Sequence, residues 1–237
     1  MWFSARFGLA AFLALVLLPA LRAQSAQFEV SHDGHTVGVA SFEFNGAPTG
    51  YESSSMVRIE MPGLEYSLSK HEQLTAADQL RSVVLSTVTN SSAVSVACTP
   101  KRAQILLDFS ANGKSSTTKL TSHGVAVFLP DFDPGALETL LALAVAQNNR
   151  DLWAILPKNS GSIEPVELTT YPDQQGTLDG EALAVHHMVA TIAGAKTNLF
   201  SGPDNQLLQA ELPQEGFVLV RKGFVLQPSA KPEAPAQ

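Results

Sequence analysis

Runs of β-branched and aromatic residues recur about every 8 to 12 residues along most of this 237-residue chain, each bounded by Gly, Pro, Asn or Asp, and that rhythm commits it to antiparallel hairpins. Residues 28–30 and 37–44 flank His32-Asp-Gly-His35, residues 56–61 and 64–68 flank Pro62-Gly63, and residues 83–89 and 94–98 flank Asn90-Ser-Ser92. Over 103–109 the period of two is explicit, with Ala103, Ile105, Leu107 and Phe109 on one face and Gln104, Leu106 and Asp108 on the other. Further strands are expected over 152–156, 163–171, 180–192, 197–200, 207–212 and 217–226. Gly202-Pro-Asp-Asn205 reads as a tight turn with Pro at its second position.

Residues 134–148 break this period. Asp133 fits an N-cap and Pro134 the first helical position, where its missing N–H costs nothing. Leu137, Leu140, Leu141, Ala144 and Val145 share a face at helical spacing; the opposite face, Thr139, Ala142, Leu143 and Ala146, is hardly polar. Such a helix is expected to be enclosed on most sides, with Asn148 and Asn149 as left-handed terminators. About twelve strands and one embedded helix do not fit an α/β crossover scheme. The fold class expected is mainly β with one long helix, a strongly curved antiparallel sheet or half-open barrel wrapped around that helix.

Gly34-His-Thr-Val-Gly38, the Asp-Gly-Glu-Ala-Leu stretch at 179–183 leading into a histidine-bearing strand, and the hairpin over 199–208 resemble a broad group of secreted bacterial β-rich proteins. Their layout is similar to the half-barrels of periplasmic lipoprotein carriers. The resemblance implies that fold and a greasy concavity. It brings no catalytic residues, and the lipid-bearing cysteine of the outer-membrane receptor kind is missing from this chain.

The first residues carry Arg6, followed by an apolar run over 7–20 and small residues at its exit, which reads as a cleaved secretory signal ending at Ala23 or, as the alternative, Ala26. The division expected is a signal peptide over 1–23, one β-rich domain over 24–226 and a disordered Pro/Ala-rich tail over 227–237. Loss of Arg6 and Arg22 with the signal lowers 15 basic residues to 13 against 22 acidic ones, a net charge of −9. That surface repels nucleic acid and anionic headgroups, so neither is expected as a partner. No later stretch is long and apolar enough to span a bilayer, which points to a secreted or periplasmic location. Cys98 is the only cysteine, so no internal disulfide forms and the core alone must hold the fold.

Chemistry is scarce in the remainder. His186 and His187 in Ala184-Val-His-His-Met-Val-Ala190 point to opposite faces of a strand and share no carboxylate in either row, so they read as packing residues. His32-Asp-Gly-His35 reads as a solvated hairpin loop. Asp131 and Asp133 open like a calcium loop, but Gly135 fills the next ligand position and Glu138 comes too early to close it, leaving helix capping as the explanation. No Gly-x-Ser-x-Gly elbow occurs, and Ser53-Ser-Ser55 and Ser115-Ser116 read as hydrophilic strand or turn residues without a base. No catalytic residues, metal ligands or cofactors are therefore assigned. The expectation is a non-catalytic protein binding a hydrophobic, acyl or lipid-like ligand between sheet and helix; the alternative is a cell-envelope structural or protein-interaction module.

Overall fold

The computed structural model describes residues 24–148 and 150–227. The leader over 1–23 with its cleavage after Ala23, the terminator at Asn149 and the tail beyond Gln227 lie outside the described residues. Gln227, one residue past the last strand, donates its N–H to the Gln175 carbonyl at 2.9 Å.

Eight strands come first: β1 (Gln24–His32), β2 (His35–Ala47), β3 (Gly50–Met61), β4 (Leu64–Thr75), β5 (Leu80–Thr89), β6 (Ser92–Lys101), β7 (Gln104–Ala111) and β8 (Lys114–Thr121). The short β9 (Val125–Phe128) then leads to α1 (Pro134–Ala146), the one helix among the described residues, and β10 (Leu152–Leu156). The chain continues through β11 (Ser162–Leu178), β12 (Glu181–Ile192), β13 (Ala195–Ser201), β14 (Leu207–Leu212), β15 (Phe217–Arg221) and β16 (Phe224–Leu226). All sixteen strands join one open sheet. Its order is β8, β7, β6, β5, β4, β3, β2, β1, β15, β14, β13, β12, β11, β10, β9, with β16 pairing β11 off this path.

The turn residues set the hairpins. Asp33 (φ 49°) and Gly34 (φ 79°) are both left-handed, so His32 pairs with His35 across a two-residue connection whose twist matches its strands. Gly38 answers to a different need, because a Cβ there would stand 2.1 Å from the Arg58 carbonyl oxygen of β3. The Gly202–Asn205 turn forms as expected, with Asn205 donating to the Gly202 carbonyl at 2.9 Å. Strands exceed the expected ones at three places, of which the four-residue β9 is the shortest whole strand to go unforeseen. β8 is Lys-Ser-Ser-Thr-Thr-Lys-Leu-Thr, too polar to show as an apolar run, and Lys222-Gly223 cuts the last stretch into β15 and β16.

Pairing is antiparallel except where α1 intervenes. β9 and β10 are parallel, so the segment β9–α1–β10 is a local crossover that the hairpin rhythm did not foreshadow. A helix is what allows it, since a chain returning to the same end of a sheet needs a connection longer than a tight turn.

Buried side chains from every strand between β1 and β15 except β8 join those of α1 in one core, with Leu120 of β8 packed against it. The helix packs on β2, β3, β9 and β14. Residues 134–141 with Leu143 and Ala144 are buried, so the enclosed helix is as expected; Val145, expected on the inward face, is 53% exposed because the last turn opens on to a recess. The helix stops at Ala146, Gln147 caps it, and Asn148 is left-handed (φ 50°). A second, smaller cluster of Val185, Phe200, Leu208 and Phe224 forms where β16 meets β11. No helix among the described residues is long and apolar enough to cross a membrane.

Candidate functional site

Alternate residues of a strand share a face, so β4 carries Tyr66, Leu68, Lys70, Glu72 and Leu74 on one inward row. A lysine and a glutamate are thereby taken into the core with the leucines: Lys70 is 2% exposed and Glu72 1%. Opposite them in β3 stand Ser55 and Ser53, their register partners, both buried and both with hydroxyls that lack a hydrogen-bond partner. These serines had been expected in hydrophilic surroundings; the inward pleat of β3 places them in the core instead.

The helix start supplies a further charge. Asp133 is the N-cap as expected, its Oδ1 accepting from the Gly135 N–H at 2.9 Å and the Ala136 N–H at 3.1 Å. Capping is only half of its role. Asp133 Oδ2 lies 2.8 Å from Lys70 Nζ, and Glu72 Oε2 lies 3.0 Å from the same nitrogen. Burial by itself pulls the Lys70 pKa down, but Asp133 and Glu72 outweigh it and raise the pKa above its usual 10.5. Burial pushes Glu72 up from 4.5 against the pull of Lys70. Lys70 is thus the one cation between two buried carboxyl groups, and Glu72 holds a proton more tightly than an exposed glutamate does. Burial, with Glu72 adding, pushes the Cys98 thiol up to about 12, which leaves it an inert core residue.

This cluster escaped the sequence reading, although a signal was present. The alternating row begun by Leu64, Tyr66 and Leu68 continues unbroken to Leu74, and Lys70 and Glu72 occupy its inward positions. Taking polar residues as solvent-facing ended the expected strand at 68.

Concavities among the described residues include a recess and a groove. The recess, of about 400 Å³, lies between the rear of α1 and the strands, with Phe44, Tyr51, Leu74, Ala142 and Val145 as its apolar lining. Its charges are all acidic: Asp78, Glu138 and Asp204. Glu138 is held there by Gln24 Nε2 and by the Leu207 N–H, each donating at 2.5 Å, and burial raises its pKa above 4.5. The groove, of about 770 Å³, is lined by residues of β1, β2, β3, β15 and β16. Val39 (61% exposed) and Met56 (66% exposed) give it an apolar bed; Arg58, Arg221 and Lys222 stand around it with Glu29 the only acid.

The histidines are separated as expected, but their surroundings are not those of bystanders. His186 Nδ1 lies 2.9 Å from Asp173 Oδ1. The row of β12 that carries His186 holds no carboxylate; this one arrives from β11 at an irregularity between Tyr171 and Gln174, which β12 alone does not foreshadow. His187 is stacked between Tyr171 and Phe200, at centroid distances of 4.9 and 4.5 Å. His32 rests on Phe217 at 4.6 Å. Among the described residues no group of three or more His, Cys, Asp or Glu is placed to hold a metal ion. No family model, curated protein or solved structure matches the chain.

Proposed function

We propose that this is a non-catalytic secreted or periplasmic protein that binds a hydrophobic ligand with an anionic end, of the acyl kind, in the groove over β1–β3. The observation that carries this reading is the pairing of exposed Val39 and Met56 with Arg58 and Lys222 in a chain whose net charge is −7. The groove's size falls within the roughly 300–1,000 Å³ usual for small-molecule sites. The seat first expected, between sheet and helix, fits such a ligand less well. There Leu137, Leu140, Leu141 and Leu143 are already buried in the core, and the remaining recess is lined by the acids Asp78, Glu138 and Asp204 with no basic group to pair a carboxylate.

The same reading takes the sheet to curve about α1, in the manner of the carrier half-barrels. Its support is that β5 touches β9 and β8 touches β11, although these strands are far apart in sheet order. It also takes the signal to be removed after Ala23. Cleavage after Ala26 would delete part of β1, including buried Ala26 and the Gln24 amide that holds Glu138.

A fluorescent fatty acid displaced by palmitate tests the seat. Met56→Asp should weaken binding by about tenfold, roughly 1.4 kcal/mol, while Ala142→Asp in the recess leaves it unchanged. The reverse pattern would return the ligand to the helix. Absence of binding to the native protein would favour the envelope interaction module, for which exposed Val84, Tyr171 and Val225 outside the groove lining are the available contacts.

A further inference from the structure

We propose that Lys70 and Asp133 condense to an isopeptide bond, a covalent tie between β4 and the start of α1 that forms inside the folded protein. Three features that such a reaction needs meet around the Lys70–Asp133 pair. The amine of Lys70 is 2.8 Å from Asp133 Oδ2, the oxygen that leaves. The other oxygen, Oδ1, already accepts two backbone N–H groups at the helix start, from Gly135 and Ala136, and these form an oxyanion hole for the charge that develops when the carbonyl is attacked. A second carboxyl, Glu72, lies 3.0 Å from the same Nζ and can carry protons.

The step balances without any co-reactant. The ammonium of Lys70 passes one proton to Asp133 Oδ2, which leaves a neutral amine beside a neutral acid. The nitrogen lone pair forms the bond to Cγ, and the carbonyl electron pair moves on to Oδ1. Glu72 in its acid form takes a proton from the new nitrogen on one oxygen and gives its own to Oδ2. The Cγ–Oδ2 pair departs with that oxygen as water, the carbonyl re-forms, and Glu72 is again an acid. One ammonium and one carboxylate have become an amide and a water.

The surroundings favour this direction. Buried charges are costly to hold, and condensation cancels two of them in a dry site where Lys70 and Asp133 have fully buried side chains. Ser53 and Ser55, across the strand pair, keep hydroxyls free of other partners beside the reacting groups. In a chain with one cysteine, the bond would supply the cross-link that disulfides supply elsewhere, closing the segment from 70 to 133.

Peptide mapping of the purified, denatured protein tests this. Trypsin should fail to cut after Lys70 and should release one branched peptide, residues 59–81 joined to residues 120–150, lighter by one water than the two together. A succinimide cannot mimic it at this position, because Pro134 has no N–H with which Asp133 could cyclise. Asp33-Gly34 and Asp179-Gly180 can lose water in that way, so the branched peptide rather than the intact mass decides. Glu72→Gln should keep the native circular dichroism and lose the branched peptide. Complete cleavage after Lys70, with an unmodified peptide 120–150 from the native protein, would overturn the proposal whatever the variant does.

Discussion

Glu138 shows how one buried carboxyl reports on the whole chain. It is fixed by Gln24 and by the Leu207 N–H, which join the first strand, the helix and β14, and burial keeps its pKa above the 4.5 it has when exposed. The folded protein therefore binds this proton more tightly than the unfolded chain does. The stabilisation it gives is fully present below 4.5 and is lost as pH rises through its folded value. The urea midpoint of the wild type should accordingly fall more steeply with pH above about 4.5 than that of Glu138→Gln, and equal slopes would contradict the buried, proton-holding carboxyl. Lys70 and Glu72 teach a complementary lesson about reading residues. Their identity says surface and their register says core, and the register prevails because a pleat cannot be broken for two positions without moving Leu74 to the wrong face.

At the scale of elements, α1 stands on two close approaches that substitutions can separate. Gly135 lies so near β2 and β3 that a Cβ would be 2.4 Å from Ser55 Oγ and 3.0 Å from Phe42 Cβ. Alanine improves helix propensity by about 1 kcal/mol, but the clash costs about 1–3 kcal/mol, so Gly135→Ala should lower the melting temperature. A rise would mean that the helix does not sit where it is described. Leu141 is 2% exposed, and Leu141→Asp places an unpaired charge there at a cost of several kcal/mol, a large part of the roughly 5–15 kcal/mol that holds a domain together. The hairpins and this helix were legible in the sequence because two-residue turns, an Asp-Pro start and an apolar run are local signals. β8 was not, since an edge strand can be made of Lys, Ser and Thr, and the parallel β9–β10 pairing was not, since it depends on where the helix returns the chain. The partnership of His186 with Asp173 stayed hidden for the same reason, being settled between strands.

At the scale of the whole molecule, the described residues form one open sheet whose main core includes α1, with a smaller cluster where β16 pairs β11. The proposed function makes the helix a fixed part of the core and places its ligand elsewhere, in the groove lined by Val39, Met56 and Arg58. Hydrogen exchange followed with and without palmitate addresses both statements together. The amides of residues 137–144 should be among the slowest to exchange and should not respond to palmitate, whereas β1–β3 and β15 gain protection. Rapid exchange in the helix that palmitate then suppresses would contradict the account, since it would make α1 a door to an interior cavity.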